Sequence, residues 1–349
     1  MSKSYFARAN SSAGLVNRFE SNLRGLNKIY LLTGASCYVK SVFIGRVSAY
    51  FKEHGEELEY VFSPFSMKHY DGVILRDKGI AIIDENCVSD IRIDVNCIPV
   101  DLGSCISVDA ASKIKILSAK ADEEYKNVYE IYEKAKKIHD EWEKIYITNM
   151  NLSRLNSFND FTISKLLSTE HMEGEGKLYE RFFGCAYSDG HVNYIDKLTK
   201  DITKRYFIKG RPGTGKSTFM RRFASKAVSM GYDAEVYYCS FDPYSYDMVV
   251  IRDLSLCVFD STAPHEKFPT RNTDEILDFY VHSGLDGVDE KCAEELAAVK
   301  KRYSSAMSRA GDIMKAAAEL TEKTDSISAA DLDFEKMNNL VYSFLNEIF

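Results

Sequence analysis

The sequence predicts an α/β protein built as two tandem domains, each with three layers, α/β/α, around a largely parallel sheet. Three observations carry that prediction. Short apolar runs alternate with amphipathic helical stretches. One such run ends in a glycine-rich loop that opens a helix. The chain also matches itself without gaps, from Phe6 to Asp84, when it is shifted by about 176 positions, with roughly a quarter of the positions identical.

The matches are patterned. Gly14, Val16 and Asn17 meet Gly190, Val192 and Asn193, and Tyr30 and Gly34 meet Tyr206 and Gly210. Lys40 and Ser41 meet Lys216 and Ser217. The run Tyr-Asp-x-Val-x-x-Arg-Asp recurs at Tyr70 to Asp77 and at Tyr246 to Asp253, and Asp84 meets Asp260. An internal duplication accounts for this, with one domain over 1–175 and a second over 176–349. Ser168 to Lys177, polar and glycine-bearing, reads as the junction.

The elements follow in order. The runs IYLLT and YFIK, each just ahead of its glycine loop, read as strands. Phe219 to Met230 reads as a helix, with Phe219, Phe223 and Ala227 at fourfold spacing and Gly231 as its stop. Ala234–Cys239 and Leu256–Asp260 read as further strands, and Ile80–Asp84 copies the latter. Each half then ends in a helical extension, Ala119 to Ile147 and Glu290 to Lys323, whose alternating glutamates and lysines suit a solvated face.

Composition narrows the class. The net charge of -7 argues against a broad nucleic-acid-binding surface. No apolar run approaches the roughly 18 residues that span a bilayer, and the N-terminus carries no signal-like apolar core. A cytoplasmic location without membrane contact is therefore expected, with the helical extensions available to a protein partner. The eight cysteines show no zinc-type spacing and are expected to be reduced and mostly buried.

The chemistry is carried by Gly210-Arg211-Pro212-Gly213-Thr214-Gly215-Lys216-Ser217-Thr218, which fits G-x-x-x-x-G-K-[ST] between a strand and a helix. Glycines let the backbone turn its amides toward an anion, and the helix N-terminus favours negative charge there. The loop is thus expected to bind ATP with Mg²⁺. Lys216 would reach the β- and γ-phosphates, and Ser217 and Asp260 would hold the metal. Many such enzymes place a glutamate beside that aspartate, whereas here Ser261 and Thr262 follow it. Glu266, Asp242 and Asp247 are candidates for the group that activates water or substrate, and His265 for one that faces the γ-phosphate. Lys216, Asp260 and Glu266 form the expected catalytic set.

The first half carries GASCYVKS instead, with Cys37 at the place of Gly213 and Val39 at that of Gly215. A β-branched residue resists left-handed backbone angles, so Val39 is expected to project into the phosphate seat and block it. Arg252 is read either as a phosphate-sensing arginine or as a partner of nearby carboxylates. Arg76 or Glu85 reaching across to the intact site is a further option.

The runs RFFGCAYSDGHVNYIDKLTKDITKRYFIKGRPGTGKS and FDPYSYDMVVIRDLSLCVFDSTAPHEKFP resemble an uncharacterised family of Firmicute proteins with two P-loop ATPase-like halves in tandem. The resemblance covers residues 181–280 well and the first half poorly. It implies ATP binding at Gly210 to Thr218 and supplies no substrate. The leading expectation is a Mg²⁺-dependent P-loop NTPase using ATP. The alternatives are a small-molecule or nucleoside kinase and a non-hydrolysing ATP-dependent switch.

Overall fold

The computed structural model describes residues 2–168 and 171–348, so Thr169 and Glu170 of the expected junction lie outside the described residues. The first half runs β1 (Lys3–Tyr5), β2 (Arg8–Ser11), β3 (Gly14–Asn17), α1 (Phe19–Leu23), β4 (Lys28–Thr33), α2 (Cys37–Glu53), β5 (Glu59–Phe62), β6 (Tyr70–Leu75), β7 (Ile80–Asp84), β8 (Asn96–Asp101), α3 (Val108–Asn149) and α4 (Leu152–Leu166). The second runs β9 (Leu178–Phe182), β10 (Gly184–Tyr187), β11 (Gly190–Asn193), α5 (Ile195–Leu198), β12 (Lys204–Lys209), α6 (Lys216–Ser229), β13 (Ala234–Tyr238), β14 (Tyr246–Ile251), β15 (Leu256–Asp260), β16 (Glu275–Asp278), α7 (Phe279–His282), α8 (Val288–Lys291), α9 (Ala293–Asp331) and α10 (Phe334–Ile348).

Each half folds around a six-stranded mixed sheet. The spatial orders are β1-β5-β6-β7-β4-β8 and β9-β13-β14-β15-β12-β16. The third strand of each, β6 or β14, is antiparallel to both neighbours, and the remaining pairings are parallel. The expected largely parallel sheet thus gains one reversed strand, formed by the recurring Tyr-Asp run. The reason is length. Seven residues join β5 to β6 and β13 to β14, too few for a parallel crossover, which takes a dozen or more.

The alternation of side chains along each strand decides the layers. On one face Ile29, Ile74 and Ile83 of the first sheet meet Phe207, Met248 and Phe259 of the second in a shared core. On the other face Tyr30, Leu32 and Val73 pack beneath α2, and Tyr206, Ile208 and Val249 beneath α6. The three-layer α/β/α arrangement is therefore corrected: the long helices cover one side of each sheet, and the opposite side meets the other sheet, with the short helices α1 and α5 in the same core. Both faces are apolar, which is why the strands read as continuous apolar runs.

The helical extensions cross over. Helices α3 and α9 lie antiparallel, with Val128 and Tyr132 against Met314, and Ile145 and Tyr146 against Leu296 and Val299. Helix α4 then lands on the second sheet, where Leu155, Ile163 and Leu166 join the core of α6. Helix α10 lands on the first, where the Phe344 ring meets Tyr30 at 4.8 Å and Phe43 at 5.2 Å, edge-on. A boundary at 175/176 separates the two sheets, but the helix-covered core of each sheet includes side chains from the other half.

Charge is buried at the seam between the halves. Arg181 is almost fully enclosed and reaches Glu59 at 3.1 Å and Glu235 at 3.2 Å. Arg76 adds a second partner to Glu59 at 2.9 Å, and Arg252 one to Glu235 at 2.9 Å. Arg252 is therefore a fold residue, not a phosphate sensor, and Arg76 pairs at this seam instead of reaching across to the second half's loop. Burial alone would push the Glu59 carboxyl up, but Arg181 and Arg76 override it and hold it at about 2, against an ordinary 4.5. All eight cysteines are unpaired, four of them buried.

Two outcomes are expected. Because the native Glu59 pKa lies below the unfolded one, its contribution is complete above about pH 4.5 and is lost as the pH falls toward about 2. Urea midpoints measured across that window should fall, and Glu59→Gln should flatten the slope. Phe344→Ala, although in the last helix, should lower unfolding free energy by about 3–5 kcal/mol through loss of first-half packing, read by urea denaturation.

Candidate functional site

Strand β12 runs into the loop Gly210–Thr218, which turns into α6 at Lys216. Gly213 and Gly215 hold φ of 77° and 84°, the left-handed region that the loop needs and that other residues resist. Thr214 closes the turn, donating from its amide at 3.3 Å and its hydroxyl at 2.8 Å to the Arg211 carbonyl. Helix α6 has no side-chain cap, and the amides of Gly213, Gly215, Lys216, Ser217 and Thr218 find no backbone acceptor among the described residues. A set of unpartnered amides at a helix N-terminus is an anion-binding arrangement.

The chemistry-bearing side chains surround this loop. Lys216 Nζ lies 2.9 Å from the Arg211 carbonyl and 3.5 Å from Asp260 Oδ2. Asp260 ends β15, the strand beside β12, in register with Ile208. Its other oxygen accepts from Thr262, at 3.0 Å from the amide and 2.6 Å from the hydroxyl. Ser217 Oγ accepts the Tyr246 amide at 2.8 Å and retains a lone pair. The loop and Asp260 border a cavity of about 1110 Å³.

The counterpart loop in the first half is closed by a different device from the one expected. Helix α2 starts at Cys37, the place of Gly213, so it is longer by one turn at this end. Ser36 caps it, accepting from the Val39 amide at 3.4 Å with its hydroxyl and from the Lys40 amide at 3.0 Å with its carbonyl. Val39 does not project into an open seat; it is buried in the core of α2 with Phe43 and Val47. Lys40 is bound to Asp84 at 2.7 Å and is 1% exposed. Where the second half has an open loop, the first has a capped helix and an ion-paired lysine.

The other expected residues divide. Asp242, Asp247 and His265 line the cavity with the loop. Burial, and then the Asp260 charge, push the Asp247 carboxyl well above the usual range. His265 is lowered to about 4 by burial, and its ring lies 4.4 Å from that of His191, also lowered to about 4 by burial and by His265. Glu266 is not brought in: it is half-exposed and bound to Lys209 at 3.1 Å, outside the cavity wall. Glu85 lies against Lys40 at 3.6 Å and stays in its own half. The Arg211 side chain turns to Asp289 at 2.8 Å.

Sequence reasoning missed the residues that arrive from the first half. Helix α3 crosses the loop so closely that a Cβ on Gly213 would come within 2.6 Å of the Glu143 carbonyl oxygen. Its His139, Trp142 and Glu143 line the cavity, opposite Tyr303 of α9. Burial raises the Glu143 carboxyl. His139, Asp140 and Glu143 also have ligand atoms within 4.8 Å of one another. Their spacing of three and four along one helix was the available signal, though nothing local tied them to a loop so far along the chain.

Compared with protein-family models, curated proteins and solved structures, the chain matches none, so its site is read from its own geometry. No helix among the described residues is long and apolar enough to cross a membrane. The close approach of α3 generates a prediction. Gly213→Ala should cost about 2–3 kcal/mol, because a side chain at positive φ is strained and here also meets a backbone carbonyl; urea unfolding measures it.

Proposed function

We propose that the second half binds a nucleoside triphosphate, ATP in the first instance, through the loop Gly210–Thr218 and hydrolyses it with Mg²⁺. The observation that carries this reading is the pair of unequal loops. One presents five unpartnered amides, two left-handed glycines and a lysine at a helix N-terminus, and its counterpart is capped, wound and ion-paired. An anion at the open loop satisfies amides that find no acceptor among the described residues. The matching strand orders fit the same reading, in which both halves descend from one P-loop-type ancestor and only the second kept its ligand.

The residues present suit a magnesium ion, since Ser217 and Asp260 offer hard oxygen donors beside the loop. When bound, Mg²⁺ would neutralise charge on the phosphates. Lys216 and the α6 N-terminus would stabilise the charge that develops on the transferred group. Glu143 and Asp242, both on the cavity wall, replace Glu266 as candidates for orienting the attacking water. A second reading, transfer to a small acceptor, draws on the aromatic wall of Trp142, Phe241 and Tyr303, which leaves the cavity larger than a phosphate tail requires. Phosphate release without acceptor favours hydrolysis, and release or transfer only with an acceptor favours the kinase.

The test is nucleotide binding and phosphate release by the full chain. Lys216→Ala should abolish turnover. Lys40→Met should alter turnover less than about fivefold, under about 1 kcal/mol, yet lower stability, because it leaves Asp84 buried without its partner. Turnover unaffected by Lys216→Ala, or no nucleotide bound by the native protein, would overturn the reading.

A further inference from the structure

Both halves set two carboxylates face to face, and they neutralise them differently. In the first half Asp71 and Asp84 are the next residues beyond the Gly72–Ile83 pair of two antiparallel strands, with Asp71 at an irregularity in the β5–β6 register. Like charges so placed repel unless they are compensated. Arg8 grips Asp71 with two hydrogen bonds, at 2.8 and 2.7 Å, and Lys40 binds Asp84 at 2.7 Å. None of these four side chains is more than 10% exposed. Two anions meet two cations.

In the second half Asp247 and Asp260 follow the Met248–Phe259 pair in the same way. Lys216 stands 3.5 Å from Asp260. The residue at the place of Arg8 is Gly184, the first of β10 as Arg8 is the first of β2. No side chain fits there: a Cβ would lie 2.7 Å from the Val192 carbonyl oxygen and 2.7 Å from the His191 ring. His265 faces Asp247 at 3.9 Å, and the Cys239 thiol lies beside it. Other cations on or near the cavity wall are engaged elsewhere: Lys136 with Asp140 and Asp242, Arg211 with Asp289, Lys300 over the Trp142 ring, and Lys209 with Glu266 and two carbonyls. Two carboxyl groups therefore meet one cation. On the wall of the same cavity the His265 side chain is nine-tenths buried, and its Nδ1 has no hydrogen-bond partner among the described residues.

We propose that Asp247 is a metal ligand: a divalent cation of the Mg²⁺ or Mn²⁺ type is held by Asp247 and Asp260, with Ser217 as a third oxygen donor, and supplies the charge that Arg8 supplies in the first half. This deepens the nucleotide reading by naming a second carboxylate for its cation, one that the loop motif does not assign. The donors are all oxygen, which suits such ions. The same exchange explains why Asp71 persists in the first half without a metal: its arginine does the work.

The test is a Mn²⁺ titration of the nucleotide-free full chain, read by electron paramagnetic resonance. One ion should bind per chain, and Asp247→Asn and Asp260→Asn should each weaken it at least tenfold. Asp140→Asn, which alters the neighbouring acidic group on α3, should leave it unchanged. An Asp247→Asn protein that binds Mn²⁺ like the native one, or an ion lost with Asp140→Asn, overturns the proposal. Since a variant can misfold, the unaltered protein supplies a second measurement. Fe²⁺ with ascorbate and peroxide should cut the backbone near residues 245–248 and 260–262; cuts elsewhere alone overturn it. The two readings separate cleanly. Mn²⁺ held by Asp247 in a protein that binds no nucleotide sinks only the ATPase reading. Nucleotide binding with Mn²⁺ affinity indifferent to Asp247 sinks only this one.

Discussion

Each six-stranded sheet has two apolar faces, and the last helix of each half packs on the sheet of the other. That exchange organises the molecule. One face of each sheet is covered by the other sheet, through the core that joins Ile29, Ile74 and Ile83 to Phe207, Met248 and Phe259. The opposite face takes one helix from its own half, α2 or α6, and one from the other, α10 or α4. The apolar surface hidden this way is the main stabilising term, and it couples the halves. The long pair α3 and α9 is the geometric consequence, since each chain segment must travel across the molecule to reach the sheet it covers.

Burying the seam brought charge with it. Arg181 sits between Glu59 and Glu235, with Arg76 on Glu59, Arg252 on Glu235 and Lys3 beside both. A buried ion cluster is weak evidence of net stability, because desolvation opposes the attraction. Its effect is on specificity: the two glutamates stand at equivalent places in their halves, and only a correctly docked pair of sheets sets a single guanidinium against both. The same traffic between halves shapes the cavity. Helix α3 crosses above Gly213 and puts Glu143 and His139 into the wall of the cavity beside the loop. The cavity beside the second half's loop is consequently lined in part by the first half, whose own counterpart is an ordinary capped helix.

Much of this was legible in the chain. The self-match at 176 positions found equivalent strands and the equivalent pairs Asp71 with Asp247 and Asp84 with Asp260. The loop motif placed Gly213, Gly215, Lys216 and Ser217 correctly between strand and helix. Glu266 misled because nearness in sequence to Asp260 was its only credential, and Lys209 draws it outward. Val39 misled because a substitution was read one residue at a time. Losing both glycines together, with Ser36 able to cap, lets the helix start a turn earlier and removes the seat instead of filling it.

The sequence by itself determined the local elements, the two glycine loops and their inequality, because these rest on backbone preference and on neighbours a few residues apart. Only the tertiary structure decided which sheet each helix covers, that the sheets stack on one another, and that α3 borders the intact loop. Those are contacts between surfaces far apart in the chain, and an apolar stripe carries no address for the surface it will meet. The difference between Arg8 and Gly184 lies between these limits. It is visible as two letters, and it acquires a meaning once the strands set Asp247 opposite Asp260 with one cation too few.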